Sequence, residues 1–154
     1  MTDPAQEMEV VKTRTDNRGW KHVLLQQKFK SLPVEGKTYL VHINPEKEVR
    51  MVNGNYLPQI QVDTTPAIDS LTAIANARDD LNQVEESEIA PEAKLVIYQF
   101  NDQTYLAWKT ILVCKQPMGE FVYYIDAADG HVINTYNNLG IAYFQLGKTE
   151  EAIK

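Results

Sequence analysis

Residues 94–137 read KLVIYQF-NDQT-YLAWKTILVCK-QPMG-EFVYYID-AADG-HVINTYN. Each apolar run is short, rich in Val, Ile, Tyr, Phe and Trp, and bounded by Asn, Asp, Gly or Pro. β-Branched and aromatic side chains suit a half-buried pleated surface, and the bounding residues suit tight turns. The stretch therefore predicts consecutive antiparallel strands joined by short hairpins. Gly130 closes the turn at 126–130 and is free to take positive φ.

Immediately before it, Asp69 is a good N-cap and residues 70–81 read as a helix. Leu71, Ile74, Ala75, Arg78 and Leu81 recur at three- and four-residue spacing, and Ile68 can staple onto Ala73. Leu71, Ile74 and Leu81 are expected to bury against Val96, Tyr98, Trp108, Leu112, Val122 and Ile133, or against their neighbours one residue along. An Ile74→Asp substitution is then expected to unfold this module. Residues 83–91, with Glu85, Glu86 and Glu88, read as a solvated acidic loop.

Further toward the N-terminus the pattern is again strand-like. Residues 8–15 and 20–30 are strands around a turn at 16–19. Val23, Leu25, Gln27 and Phe29 share one face, taken as the core face, so a buried Gln27 needs hydrogen-bond partners. Residues 31–36 are a break, because Pro33 cannot donate to a ladder. Strands at 37–43 and 48–52 flank a turn at 44–47, Asn53-Gly54 is a turn pair, and 55–62 is an irregular connector. Residues 1–6 are expected to be a disordered tail. The last stretch, 137–154, changes to helical spacing, with Gly147 as a stop and Thr149 as a second cap.

Composition restricts the function classes. The 154 residues carry a formal net charge of -6 with no Lys/Arg stripe, which argues against a nucleic-acid partner. No apolar run approaches the ~20 residues of a membrane span, and no signal peptide is visible. Cys114 is the single cysteine; it reads as a buried, inert thiol. His22, His42 and His131 lack metal-ligand spacing and read as ordinary strand or turn residues. No HExxH pair, G-x-S-x-G elbow, P-loop or dinucleotide fingerprint is present. The reading is therefore non-catalytic, with no metal and no cofactor. The aromatics Trp20, Tyr98, Trp108, Phe121, Tyr123, Tyr124 and Tyr136 serve either a core or an outer contact surface; alternation does not separate the two.

Three resemblances follow. His22, Gln26-Gln27, Pro33-Val34, Gly36, Val41-His42-Ile43-Asn44 and Val52-Asn53-Gly54 make the first part resemble the FTP module of fungalysin- and thermolysin-type propeptides. Ala73-Ile74-Ala75, Leu95-Val96-Ile97-Tyr98, Leu106-Ala107-Trp108 and Tyr124-Ile125-Asp126-Ala127 with Gly130 make the second part resemble the PepSY module that follows FTP there. Asn138-Leu139-Gly140, Ala142-Tyr143, Leu146-Gly147 and Glu151-Ala152-Ile153 resemble the first half of a tetratricopeptide repeat, which implies a longer natural protein. Lys47 and Ser31 stand where the FTP pattern has Gly. A Lys at positive φ costs on the order of 1 kcal/mol, so the turn at Lys47 is expected to be built differently. The helix that usually precedes the FTP strands is missing from the pattern.

The expected fold is α+β: an FTP-like β module (8–62), a PepSY-like α+β module with its helix packed on the sheet (65–136), and a short helical hairpin (137–154). The resemblance assigns Gln26, Gln27, Val34, Gly36, His42, Asn53, Gly54, Trp108, Tyr124, Asp126 and Gly130 to the family motifs, mostly in structural roles. It implies a module that guides the folding of a thermolysin-like metallopeptidase and blocks its cleft, and an extracytoplasmic home; with no protease motif in the chain, that protein partner is expected to be bound in trans and inhibited or chaperoned. An adaptor whose repeats continue beyond residue 154 is the alternative, and a small-ligand pocket between modules is a weaker third reading.

Overall fold

The computed structural model describes residues 3–82 and 85–138. The chain divides into two compact units, Met1–Val62 and Asp63–Lys154. Among the described residues there are nine strands and only one helix longer than a single turn. The expected α+β class is thus overturned: the fold is mostly β. The physical reason is that helical periodicity is confined to one segment, while alternating β-branched and aromatic runs fill most of the rest. The helical hairpin and the repeat-like motifs at 139–154 lie outside the described residues.

In the first unit, helix α1 (Pro4–Glu7) precedes strands β1 (Met8–Thr15), β2 (Lys21–Phe29), β3 (Leu32–Ile43) and β4 (Val49–Gly54). Each strand pairs antiparallel with the next. Residues 3–6 are not the expected tail. Asp3 caps α1, its Oδ1 accepting from Ala5 N at 3.0 Å. A short helix therefore does precede the strands. The Tyr56 hydroxyl donates to the Glu7 carboxylate, and that bond pushes its pKa up to about 12.

The break expected at 31–36 is not there. The β2–β3 turn is Lys30-Ser31, with φ of 46° and 71°, and Phe29 pairs directly with Leu32. Pro33 sits as the second residue of β3, where a strand tolerates it beside a bulge. The register then passes from Lys28↔Pro33 to Gln26↔Thr38. Residues 34–37 thus bulge opposite Gln27, with Gly36 at φ 69°. Such a bulge leaves carbonyls out of the ladder. Gln26 satisfies them: its Nε2 lies 2.7 Å from Val34 O, 3.0 Å from Lys37 O and 3.0 Å from Gln27 O. Asn53-Gly54 is the end of β4, not a turn.

Lys47 corrects a second expectation. The β3–β4 turn is anchored by Asn44, whose Oδ1 accepts from Glu48 N at 2.7 Å and whose carbonyl accepts from Lys47 N at 3.0 Å. That geometry forces Lys47 to φ 68°, so the left-handed turn persists without glycine. A non-glycine residue there costs about 1–2 kcal/mol, and the extra unfolded-state entropy of glycine returns about 0.4–1 kcal/mol. Lys47→Gly is therefore expected to stabilise the chain by about 0.5–1 kcal/mol. An unchanged or lower urea midpoint would contradict this account.

In the second unit, helix α2 (Ser70–Leu81) is followed by β5 (Glu85–Glu86), β6 (Glu92–Phe100), β7 (Gln103–Gln116), β8 (Gly119–Asp126) and β9 (Val132–Asn137). The last four form an antiparallel meander, and β5 pairs with the far end of β7. Asn101 and Asp102, at φ 49° and 62°, make the β6–β7 turn. Side chains on opposite sheet faces form two clusters. On one face Leu112, Cys114, Tyr123 and Ile125 bury against Ala73 and Ala77 of α2. On the other, Val96, Ala107, Val122 and Tyr124 pack with Tyr98, Ile111 and Ile133.

The buried edge of α2 is rotated from the expected one. Ala73 and Ala77 are fully buried, Ile74 and Leu81 only line the cluster, and Leu71 is 73% exposed. Of the six expected sheet partners, Trp108 and Leu112 face the helix. Val96, Tyr98, Val122 and Ile133 lie on the opposite face. Polar pins fix α2 in place. Asp69 Oδ1 caps Thr72 N at 2.8 Å, Asn76 Nδ2 donates to Gly130 O at 2.8 Å, and the Tyr123 hydroxyl donates to Asp80 Oδ2 at 3.1 Å. Burial, then the Asp80 bond, pushes the Tyr123 hydroxyl up to about 12. The acidic stretch is not simply solvated: Arg78 forms a fork with the Glu86 carboxylate, Nη2 to Oε2 at 2.8 Å.

Candidate functional site

The pairing of β1, β2, β3 and β4 sets two adjacent cross-strand rows on one face of the first unit. One row is Arg14, His22, His42 and Met51; the next is Lys12, Leu24, Leu40 and Asn53. Directly paired residues project to the same face. Six of these side chains, Lys12, Arg14, His22, Leu24, Leu40 and His42, line a hollow of about 360 Å³. Its floor is aliphatic and its rim carries both cations, which are exposed.

The two imidazoles meet across the strands. His22 Nδ1 lies 2.8 Å from His42 Nδ1, and the rings are edge-on with centroids 4.9 Å apart. His22 Nε2 lies 3.0 Å from Asp16 Oδ2, and His42 Nε2 lies 3.4 Å from Asn53 Nδ2. Asp16 sits in the β1–β2 turn, where its other oxygen accepts from Arg18 N and Trp20 N at 2.9 and 3.0 Å. The bond from His22, aided by those amides, holds its carboxyl below the ordinary value of 3.8. An ionised carboxylate only accepts, so His22 carries its proton on Nε2. In the neutral pair, His22 Nδ1 is then an acceptor and His42 Nδ1 is the donor. His42 Nε2 is left to accept from the Asn53 amide. One polarised chain, Asn53–His42–His22–Asp16, results.

The remaining motif residues fall outside this hollow. Gln26 fills the β3 bulge. Gln27 is buried on the opposite face, its amide donating to Leu57 O and its carbonyl accepting from Leu57 N, both at 2.8 Å. Val34 is fully buried. A Cβ at Gly54 would lie 2.8 Å from Tyr39 Cα, tighter than any real contact, and would strike the Thr38 carbonyl. In the second unit, Trp108 Nε1 donates to Ile68 O at 3.0 Å, and Tyr124 stacks on Tyr98 with centroids 3.8 Å apart. Gly130 takes φ 83° in the β8–β9 turn, where Asp126 O accepts from Gly130 N at 2.8 Å. Asp126, Asp129 and His131 bring three ligand-type atoms within 4.8 Å on this turn. Asp129 already accepts from His131 N and meets its Nδ1 at 3.0 and 2.6 Å. The sequence reading kept His22 and His42 apart and passed over Lys12, Arg14 and Asp16. No local signal pairs them: the register that sets His22 opposite His42 follows only from the bulge at residues 34–37, after which Gln26 pairs with Thr38.

Asp16, Asp69 and Asp129 all bear carboxyls held below 3.8. The leading causes are the His22 side-chain bond, the Thr72 amide and the His131 amide respectively. A depressed folded-state value means that the unfolded chain binds more protons in acid. These groups stabilise the fold above 3.8, and that contribution is lost as pH falls through their folded values. The urea midpoint is expected to hold from about pH 7 to 5 and to fall below about pH 4. Asp69→Asn keeps a capping oxygen and should make the acid limb shallower. An identical limb in the variant would count against this assignment.

Comparison with known proteins finds a similarity in the first unit. Residues 6–56 match the family model described as Fungalysin/Thermolysin Propeptide Motif, a span that covers the four strands around the hollow. Over longer stretches the chain is similar to thermolysin-type proteases. It is 32% identical to bacillolysin of Brevibacillus brevis over 143 residues, covering 84% of this chain and 26% of that protein. It is 28% identical to thermolysin of Alicyclobacillus acidocaldarius subsp. acidocaldarius over 141 residues, covering 86% of this chain and 26% of that protein. The chain thus spans about a quarter of the length of these relatives. Among solved structures, the Bacillus megaterium YpeB C-terminal domain aligns with 86% of this chain and 57% of its own, at TM-score 0.48 and 11% identity. Among the described residues, no helix is long and apolar enough to cross a membrane.

Proposed function

We propose that this chain is a propeptide-like module, without catalytic machinery of its own, that binds a thermolysin-type metallopeptidase in trans and inhibits it or assists its folding. The observation that carries this reading is the propeptide motif over residues 6–56. The chemistry of the surface supports it. Within the first unit the two outer strands, β1 and β4, expose Val10, Val11, Val49, Met51 and Val52, each more than half accessible. Outer strands with apolar side chains suit association with another protein through main chain and side chain together. Blocking a cleft needs only a complementary surface. In this reading the second unit acts as a PepSY-like companion module and the chain works outside the cytoplasm.

The test is a titration of the purified chain against bacillolysin, reading residual proteolysis and calorimetric binding, with refolding yield of the denatured peptidase as a third readout. Saturable inhibition, or a raised refolding yield, is expected at micromolar concentrations. No binding and no change in yield would refute the proposal.

A further inference from the structure

The hollow on the first unit has chemistry that association with a peptidase does not require. Lys12 and Arg14 stand two residues apart on β1, exposed and without an ion pair among the described residues. Beneath them lie the aliphatic Leu24 and Leu40, and beside them the His22–His42 pair. Two fixed positive charges repel a metal cation, and the proton between the two Nδ1 atoms already occupies the position a metal would take. The same charges attract an anion, and the leucines select one that carries an apolar group.

The imidazole pair adds a second property. Neutral, it holds one proton between two nitrogens 2.8 Å apart. A second proton has a vacant place on His42 Nε2, which only accepts from Asn53 in the neutral pair, and it leaves the Nδ1–Nδ1 bond intact. The pair then carries a positive charge, which a carboxylate seated beside it offsets. Asp16, facing His22 Nε2 at 3.0 Å from the β1–β2 turn, offsets part of that charge from the other side. The other charged groups facing the pair are Lys12 and Arg14 of β1. From β4 it meets only the uncharged Met51 and Asn53, and β3 adds only Leu40.

We propose that this hollow binds an organic carboxylate bearing a short aliphatic group, seated between Lys12, Arg14 and the imidazole pair, and that binding takes up one proton onto His22 and His42. The carboxylate comes either from a free short-chain acid or from an acidic side chain flanked by aliphatic residues in a partner. The inference is independent of which protein the chain binds.

The experiment is calorimetry on the whole chain at a series of pH values from about 5.5 to about 7.5. The probes are 4-methylpentanoate, its neutral amide, inorganic phosphate and the peptide acetyl-Leu-Asp-Leu-amide. At least one carboxylate probe is expected to bind, and the tighter of the two identifies the source. Its affinity should fall as pH rises, by up to about tenfold per pH unit, which is the signature of one linked proton. Repeating the titration in buffers of different ionisation heat should show the same uptake. His22→Gln with His42→Gln should erase the pH dependence, and Lys12→Ala with Arg14→Ala should weaken binding at every pH value. The lysine and arginine are exposed, so their replacement tests the site even where the histidine variant fails to fold. The proposal is overturned if the amide binds as well as the acid, if phosphate binds as well as the carboxylates, if affinity ignores pH, or if neither carboxylate binds.

Discussion

An Ala77→Asp substitution is expected to cost about 3–5 kcal/mol and to unfold the second unit at moderate urea, because it buries an uncompensated charge. Ala77 is fully buried, in the cluster where α2 meets Leu112, Cys114, Tyr123 and Ile125. A methyl group is what lets the helix sit that close, and a carboxylate there has neither room nor a partner. The helix cannot easily rotate to expose it, since Asp69, Asn76 and Asp80 each hold a fixed hydrogen bond. Leu71→Asp is the matched control. It sits on the same helix but is 73% exposed, so its effect should stay within about 0.5 kcal/mol. Ile74→Asp, at the margin of the cluster, should fall between them. Urea melts followed by the fluorescence of Trp108, whose indole is tied to the backbone ahead of α2, report on this unit. A melt for Ala77→Asp that overlays the parent would remove the account of how α2 is held.

That comparison shows where the sequence was legible. Most strand runs, and turns such as 16–19 and 126–130, could be read because alternation and turn residues are local signals, whereas Pro33 and Asn53-Gly54 read as breaks and lie inside strands. The span of α2 and its Asp69 cap could be read for the same reason. The burial of α2 could not, because apolar weight favours Leu71 whereas the close approach of a helix to a sheet favours alanine. At Lys47 propensity misleads because the hydrogen bonds that Asn44 makes within the turn outweigh a cost of about 1 kcal/mol. The hollow was hardest of all. His22, His42, Lys12 and Arg14 are unremarkable in their own windows, and only the strand register brings them together. A sequence window carries propensity well and register poorly, since register depends on which turn closes. The Lys30-Ser31 turn alone would set His22 opposite Tyr39; the bulge at residues 34–37 shifts the register and brings His22 to His42.

Gln27→Glu is expected to destabilise the first unit by about 2–4 kcal/mol at neutral pH and to recover much of that loss in mild acid. Gln27 is 2% exposed and is the sole residue opposite the β3 bulge. Its side-chain amide satisfies both backbone groups of Leu57 at 2.8 Å, and so ties the connector after β4 to the sheet. That pattern requires one donor and one acceptor on the same side chain, which explains why an amide stands at a core position. An introduced carboxylate keeps the bond from Leu57 N but turns an oxygen toward Leu57 O, leaving two acceptors face to face in a buried site. Protonation restores a donor, so burial and that repulsion together raise the folded-state value of the new carboxyl. By linkage, a raised value makes the folded state bind the proton more tightly than the unfolded one. The variant must therefore gain stability relative to the parent as pH falls from about 7 to 5. Gln27→Leu separates the two effects: it leaves both Leu57 groups unpaired and should cost about 2–3 kcal/mol with no dependence on pH over that range. A Gln27→Glu variant whose deficit stays constant between those pH values would show that Gln27 does not donate to Leu57. The first unit would then need another explanation for how its connector is fastened.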